Sequence, residues 1–257
     1  MSEVDYIVPA LQRGLRVLGM FGALERSLSV QAIAERLGVS ASACYRIIFT
    51  LCEMGYLEKD GQQYRLGAQV ISDGFSYLAS RDIVEVAMPY LNGLRDRTSL
   101  SCHLSIREHT DSLYLCRAFA AQRLSVNIPI GTRIPCHCTA MGRVLLTALE
   151  PSALATLYQH VRLDDYPAPA PRTLPELQEL IATDRARGVV LHRSDYSTAI
   201  ATAVRDHRGQ VVAAINLSGP DAVMDGPGAG ERFEGLLLAC SGLISGQLGY
   251  RAQGISV

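Results

Sequence analysis

Apolar side chains recur at helical spacing over residues 8 to 24, at Val8, Leu11, Leu15, Leu18 and Phe21. They predict an amphipathic helix whose polar side carries Arg13 and Arg16. Ser29 then precedes VQAIAERLG, where the hydroxyl can cap a short helix and Gly38 can end it. After Val39 and Ser40 comes ASACYRIIFTLCEMG, with Ile47, Ile48, Leu51 and Met54 at helical spacing. Two short β-like runs follow, separated by Asp60-Gly61, a strong hairpin signal.

A helix, two short helices joined by a Gly-Val-Ser turn, and a hairpin make a winged helix-turn-helix over residues 1–66. Its second paired helix is the one that enters a major groove. That helix begins with Ser40, Ala41 and Ser42, small enough for close approach, then offers Tyr45 and Arg46 to phosphates or base edges. Lys59, Gln62 and Arg65 lie in the hairpin, placed for a phosphate or the minor groove. Trihelical units also serve as protein-interaction domains; turn, recognition helix and wing occurring together favour DNA.

Beyond residue 66, β-like runs at 102–106, 113–117, 201–205 and 211–217 alternate with helical runs at 141–149, 174–187 and 231–248. The pattern is α+β. The Pro-Ala alternation at 167–171 reads as a stiff loop within a domain.

Charge refines the picture more than it decides it. Over 257 residues, 24 Lys and Arg face 25 Asp and Glu, for a net charge of -1. That excludes a protein coated in positive charge for non-specific nucleic-acid binding, but not a local basic patch. If the fold is right, Arg13, Arg16, Arg46, Lys59 and Arg65 converge on one surface while Glu25 and Glu35 lie elsewhere. The 48% hydrophobic content is globular. No apolar run is long enough to span a bilayer, the start lacks a secretory pattern, and seven scattered cysteines fit no disulfide framework. We expect a reduced cytoplasmic protein.

Several ordered segments resemble one known family over nearly the whole chain. LQRGLRVLGMFG and LSVQAIAERLGVSASACYRIIFTLCEMGYLEKDGQQYRLG are similar to the amino-terminal domain of IclR-type bacterial transcriptional regulators. MPYLNGLRDRTSLSCHLSI, GTRIPCHCTAMGRVLLTALEP and IATAVRDHRGQVVAAINLSGP resemble successive parts of its effector domain. The resemblance implies a linker helix over 67–80 that supports dimerisation, and a GAF- and PAS-like α/β effector domain over 81–257. It implies a dimer or dimer of dimers on a near-palindromic operator in the bacterial nucleoid, no cofactor, and no catalytic or metal site.

It also implies a small organic effector, a carboxylic or aromatic acid, held between the sheet and the helix after a His-containing loop. The matching positions are Leu124, Val126, Ile134, His137, Ala140, Met141, Asp195, Asn216 and Ser218. Asn216 and Ser218 would share one strand face, and Ala140 and Met141 would offer helix-start N–H groups to a carboxylate. The segment HRSDYSTAIATAV departs from the family's more acidic pattern, with Ala203 at its Pro position and Asp195 as the one acid of its loop.

Two other classes compete. Cys136, His137 and Cys138 invite a redox or metal sensor on the same scaffold. On an extended strand, however, the two cysteines would share a face that His137 does not, and zinc needs about four converging ligands. An enzyme using Cys136, His137 and Asp195 is the less favoured reading; no nucleophile elbow, phosphate loop, dinucleotide fingerprint or HExxH is present.

Overall fold

Serine hydroxyls begin both helices of the helix-turn-helix. Ser29 Oγ accepts from Ala32 N at 3.2 Å ahead of α2 (Val30–Leu37). Ser40 Oγ accepts from Ala43 N at 3.3 Å ahead of α3 (Ala41–Glu53). Between them Gly38 adopts φ 65°, a left-handed cap that a residue with a Cβ resists. The turn is therefore written in three residues. In this computed structural model, residues 7–22, 25–79, 82–120, 127–194 and 197–251 are described. The chain divides into two compact units, Met1–Ser80 and Arg81–Val257.

In the first unit, α1 (Pro9–Leu18) precedes β1 (Leu28–Ser29), α2 and α3. The wing is β2 (Leu57–Asp60) and β3 (Gln63–Leu66), paired antiparallel with Asp60 opposite Gln63. β1 adds to the free edge of β3, giving the order β1-β3-β2. The core joins Val17, Leu28, Ile33, Cys44, Ile48, Leu51, Leu57 and Tyr64. Of the apolar stripe expected on the first helix, Leu18 and Phe21 pack against this core, but its leading part does not. Val8, Leu11 and Leu15 are 59%, 62% and 62% exposed, and Val17 is the fully buried residue of α1. At 100° per residue Val17 points well away from the Leu11–Leu15 stripe. α4 (Gln69–Ala79) closes the unit, tied back by a Tyr56 hydroxyl bond to Asp73 and by Gly67 N to Tyr56 O at 2.8 Å.

The second unit is a six-stranded antiparallel sheet in the order β6-β5-β4-β9-β8-β7. Its strands are β4 (Ser101–Glu108), β5 (Asp111–Ala118), β6 (Arg133–Pro135), β7 (Val189–Ser194), β8 (Ser197–Arg205) and β9 (Val211–Pro220). α5 (Asp82–Thr98) and α10 (Ala229–Gln247) pack together against one side. On the other lies α6 (Ala140–Leu146), whose Ala140, Met141, Val144 and Leu145 meet Tyr114, Val190, Ala201 and Ala214. α7 (Pro151–Tyr158) and α8 (Leu174–Arg187) form an outer layer over α6, around Cys136, Leu146, Leu154, Tyr158, Leu177 and Ile181. A short helix α9 (Asp221–Met224) links β9 to α10.

Candidate functional site

The buried residues of α3 are Cys44, Ile48 and Leu51. Helical geometry then turns Ser42, Tyr45, Arg46 and Phe49 to solvent, and all four are exposed. Ser40 Oγ is engaged as the cap and lies 3.2 Å from Ser42 Oγ. Ala41 is exposed at the start of the helix, and Lys59, Gln62 and Arg65 are exposed in the wing. The charge of Arg65 is not free, because it lies 3.1 Å from Glu58 and 3.8 Å from Asp60. Arg13 and Arg46 line one groove of about 740 Å³ between α1 and α3, with Leu11, Leu15, Leu18, Ile47 and Met54 as its apolar walls. Arg16 is exposed on α1. Glu25 is bonded to Arg36, which holds its carboxyl below the usual range.

On the α6 side of the large sheet, polar groups meet small and apolar ones. Ala214, Asn216 and Ser218 alternate along β9 and share the α6 side. Asn216 Oδ1 accepts from His103 N at 2.9 Å and lies 3.1 Å from His103 Nδ1. An oxygen that accepts from both assigns the proton to Nδ1 and leaves Nε2 as an acceptor. The His103 ring meets Tyr114 edge-on at 5.7 Å. Two residues further, Ser105 Oγ lies 3.6 Å from Met141 Sδ. Ser218 Oγ donates to Ser101 O at 3.5 Å. Ala140 and Met141 open α6, whose ladder starts at Arg143 N to Thr139 O, while Thr139 Oγ1 takes Gly142 N at 3.0 Å. Ile134 on β6 packs against the same cluster.

The wall is thus His103, Ser105, Tyr114, Asn216 and Met141. Sequence reading missed the first three, though the alternation Cys-His-Leu-Ser-Ile already put His103 and Ser105 on one strand face. Burial pulls the His103 pKa down to about 4. The folded protein therefore keeps His103 neutral where the unfolded chain, near 6.5, takes up a proton. Unfolding binds that proton between pH 6.5 and 4, so stability falls as pH drops through this window, by up to about 1.4 kcal/mol per unit. We expect His103→Gln to flatten this slope in urea denaturation at pH 7, 6 and 5. An unchanged slope would refute the assignment.

His137 sits elsewhere. Cys136–Cys138 form a 3-10 turn, not the extended strand expected from the sequence. Cys136 N donates to Thr110 O at 2.8 Å and Thr139 N to Cys136 O at 3.4 Å, so the chain bends directly after Pro135. The alternating-face argument for the two cysteines therefore does not hold. The His137 ring is edge-on to Tyr158 at 5.7 Å and Tyr166 at 4.5 Å, on the outer-layer side of the turn. Both its nitrogens and the Tyr158 hydroxyl are buried without hydrogen bonds among the described residues. Burial pushes the Cys136 thiol up to about 12 and Cys138 to about 11, which opposes the thiolate a redox sensor uses. No group of three or more His, Cys, Asp or Glu able to hold a metal occurs among the described residues. Leu124, Val126 and Asp195 lie outside the described residues. No described helix is long and apolar enough to cross a membrane.

Residues 10–61 match the family described as the IclR helix-turn-helix domain, and residues 75–246 that described as bacterial transcriptional regulator IclR C-terminal. The chain is 32% identical over 247 residues to the Pca regulon regulatory protein of Pseudomonas putida, covering 93% of this chain and 84% of that protein. It is 30% identical over 223 residues to the p-hydroxybenzoate hydroxylase transcriptional activator of Acinetobacter baylyi, covering 82% and 81%. Its fold is similar to the crystal structure of an IclR homolog complexed with 4-hydroxybenzoate from Microbacterium hydrocarbonoxydans. That likeness has a TM-score of 0.78 at 22% identity, over 93% of this chain and 98% of the other.

Proposed function

Because this chain belongs to the IclR family of bacterial transcriptional regulators, we propose that it binds operator DNA through α3 and the wing and releases or reshapes that binding when a small organic acid occupies the α6 side of the sheet. The observation that carries the reading is the pairing, in one chain, of a capped recognition helix with Ser42, Tyr45 and Arg46 turned outward and a second unit with the buried neutral pair His103–Asn216 beneath α6. A winged helix-turn-helix reads DNA from such a face. A buried polar pair on a wall of alanines and Met141 supplies directional contacts inside an apolar surround, the usual make-up of a small-molecule site.

Arg46 and Tyr45 contact base edges or phosphates in this reading, and Ala41 and Ser42 allow close approach. Lys59, Gln62, Arg65, Arg13 and Arg16 serve the backbone. Ile134, Ala140, Met141, Asn216 and Ser218 line the acid's site, with His137 one turn behind it. The names of the relatives point to aromatic acids: one activates a p-hydroxybenzoate hydroxylase gene, and a protein of the same fold was crystallised with 4-hydroxybenzoate. The exposed stripe of Leu11 and Leu15, with the groove beside it, is the surface assigned to a second copy. Two copies would place two recognition helices in successive major grooves.

The test is a thermal-shift screen with benzoate, 4-hydroxybenzoate, 3,4-dihydroxybenzoate and short aliphatic dicarboxylates. It is paired with gel retardation of the DNA upstream of the protein's own gene. A ligand that binds only the folded state raises the melting temperature by mass action. At least one acid should do so and should alter the retardation; no retardation of upstream DNA at low salt would defeat the reading.

A further inference from the structure

The outward face of α3 carries more than polar groups. Tyr45 and Phe49, four residues apart, are 51% and 55% exposed. Their ring centroids lie 6.5 Å apart with planes 33° from each other. The core face of α3 is already filled by Cys44, Ile48 and Leu51, and Phe49 is absent from the apolar cluster of the first unit. An uncovered phenyl ring on a helix surface forfeits the gain of burial. This one lies one turn beyond Tyr45 and Arg46, and two beyond Ser42, on the face that a winged helix-turn-helix lays in the major groove. On the edges of that groove, the apolar group among the donors and acceptors is the C5-methyl of thymine.

We propose that Phe49, together with Tyr45, is a specificity-determining contact that packs on thymine methyl groups in the operator. The inference rests on α3 being the recognition helix. Four residues advance a helix by about 6 Å, close to two base steps of about 3.4 Å each, so the two rings reach base pairs about two steps apart. Arg46 on the same face supplies the polar contact, to a guanine edge or a phosphate. The aromatic pair adds a preference for thymine that no charge on this face provides.

The experiment uses the full-length protein. A duplex is selected from a randomised pool, then resynthesised with deoxyuridine in place of each thymine in turn, which removes only the methyl group. At one or two positions the substitution should weaken binding about fourfold, the effect of burying one methyl. Phe49→Ala should bind the thymine and uracil duplexes equally at one of those positions, and Phe49→Leu should keep part of the difference. Because Phe49 is exposed, the variants should melt as the parent does. A uracil scan without effect at any position overturns the proposal. So does a thymine preference that survives in Phe49→Ala, whether or not sedimentation shows that variant to have changed its oligomeric state.

Discussion

Replacing Asp184 by alanine is expected to lower the stability of the second unit by about 3–5 kcal/mol, the usual effect of removing one partner of a buried ion pair. Asp184 on α8 accepts from Arg143 Nε at 2.7 Å and from Nη2 at 2.6 Å, a two-pronged bond. Their side chains are only 6% and 12% exposed. Arg143 Nη1 reaches on to Leu191 O at 3.4 Å, so one guanidinium joins α6, α8 and β7. Without Asp184 that charge stays buried and unpaired. The double variant Arg143→Met with Asp184→Leu removes both charges and should recover much of the loss. Urea unfolding followed by circular dichroism measures both. A single variant that loses less than about 1 kcal/mol would refute this role for the pair.

Gly142→Ala should be the next most damaging change, and should also disable the response to the acid. A Cβ at Gly142 would stand 2.3 Å from both Cys136 Cα and Cys136 O, and 2.7 Å from the same carbonyl carbon. These are backbone atoms and cannot rotate aside. Either α6 shifts along the sheet or the 136–138 turn moves away from it. Overpacking of this kind destabilises by about 1–3 kcal/mol, more where backbone is involved. Because Ala140 and Met141 open the same helix, the shift would also displace the wall facing Asn216. We expect a melting temperature several degrees lower and an acid-induced thermal shift that is lost or sharply reduced. A variant with parental stability and full acid response would show that the tight approach of α6 to Cys136 is dispensable.

What could be read from the sequence was local. The cap at Ser29 and the left-handed Gly38 involve neighbours within four residues and stand where the residues placed them. The hairpin also forms, though Asp60 belongs to β2 and its two-residue turn is Gly61-Gln62, and Ser40, read as the first residue of the helix, is its cap. Long-range partners decided the rest. The periodicity of α1 revealed an apolar stripe but not what covers it: Leu18 and Phe21 meet the core, while Val8, Leu11 and Leu15 point away from it. The turn at Cys136 depends on a bond to Thr110, so the segment looked extended when taken alone. β1 is two residues long and is a strand because β3 lies beside it. His103 was passed over because its importance comes from Asn216, 113 residues away in the chain. On the expected basic face, Arg65 was countable as a charge, while its pairing with Glu58 and Asp60 required the hairpin register. In the proposed reading, the pairing of Arg65 within the wing leaves Arg46, Lys59 and the aromatic pair with a larger share of the recognition.

In the proposed reading, one coupled protein binds both acid and operator. The coupling is measured as affinity for the upstream duplex with and without a saturating acid from the thermal-shift screen, set against affinity for that acid with and without the duplex. Coupling through two global states requires the two ratios to be equal, and a factor on the order of 5–150 is expected. Equal affinity for the duplex in the presence and absence of every acid that binds would contradict the account.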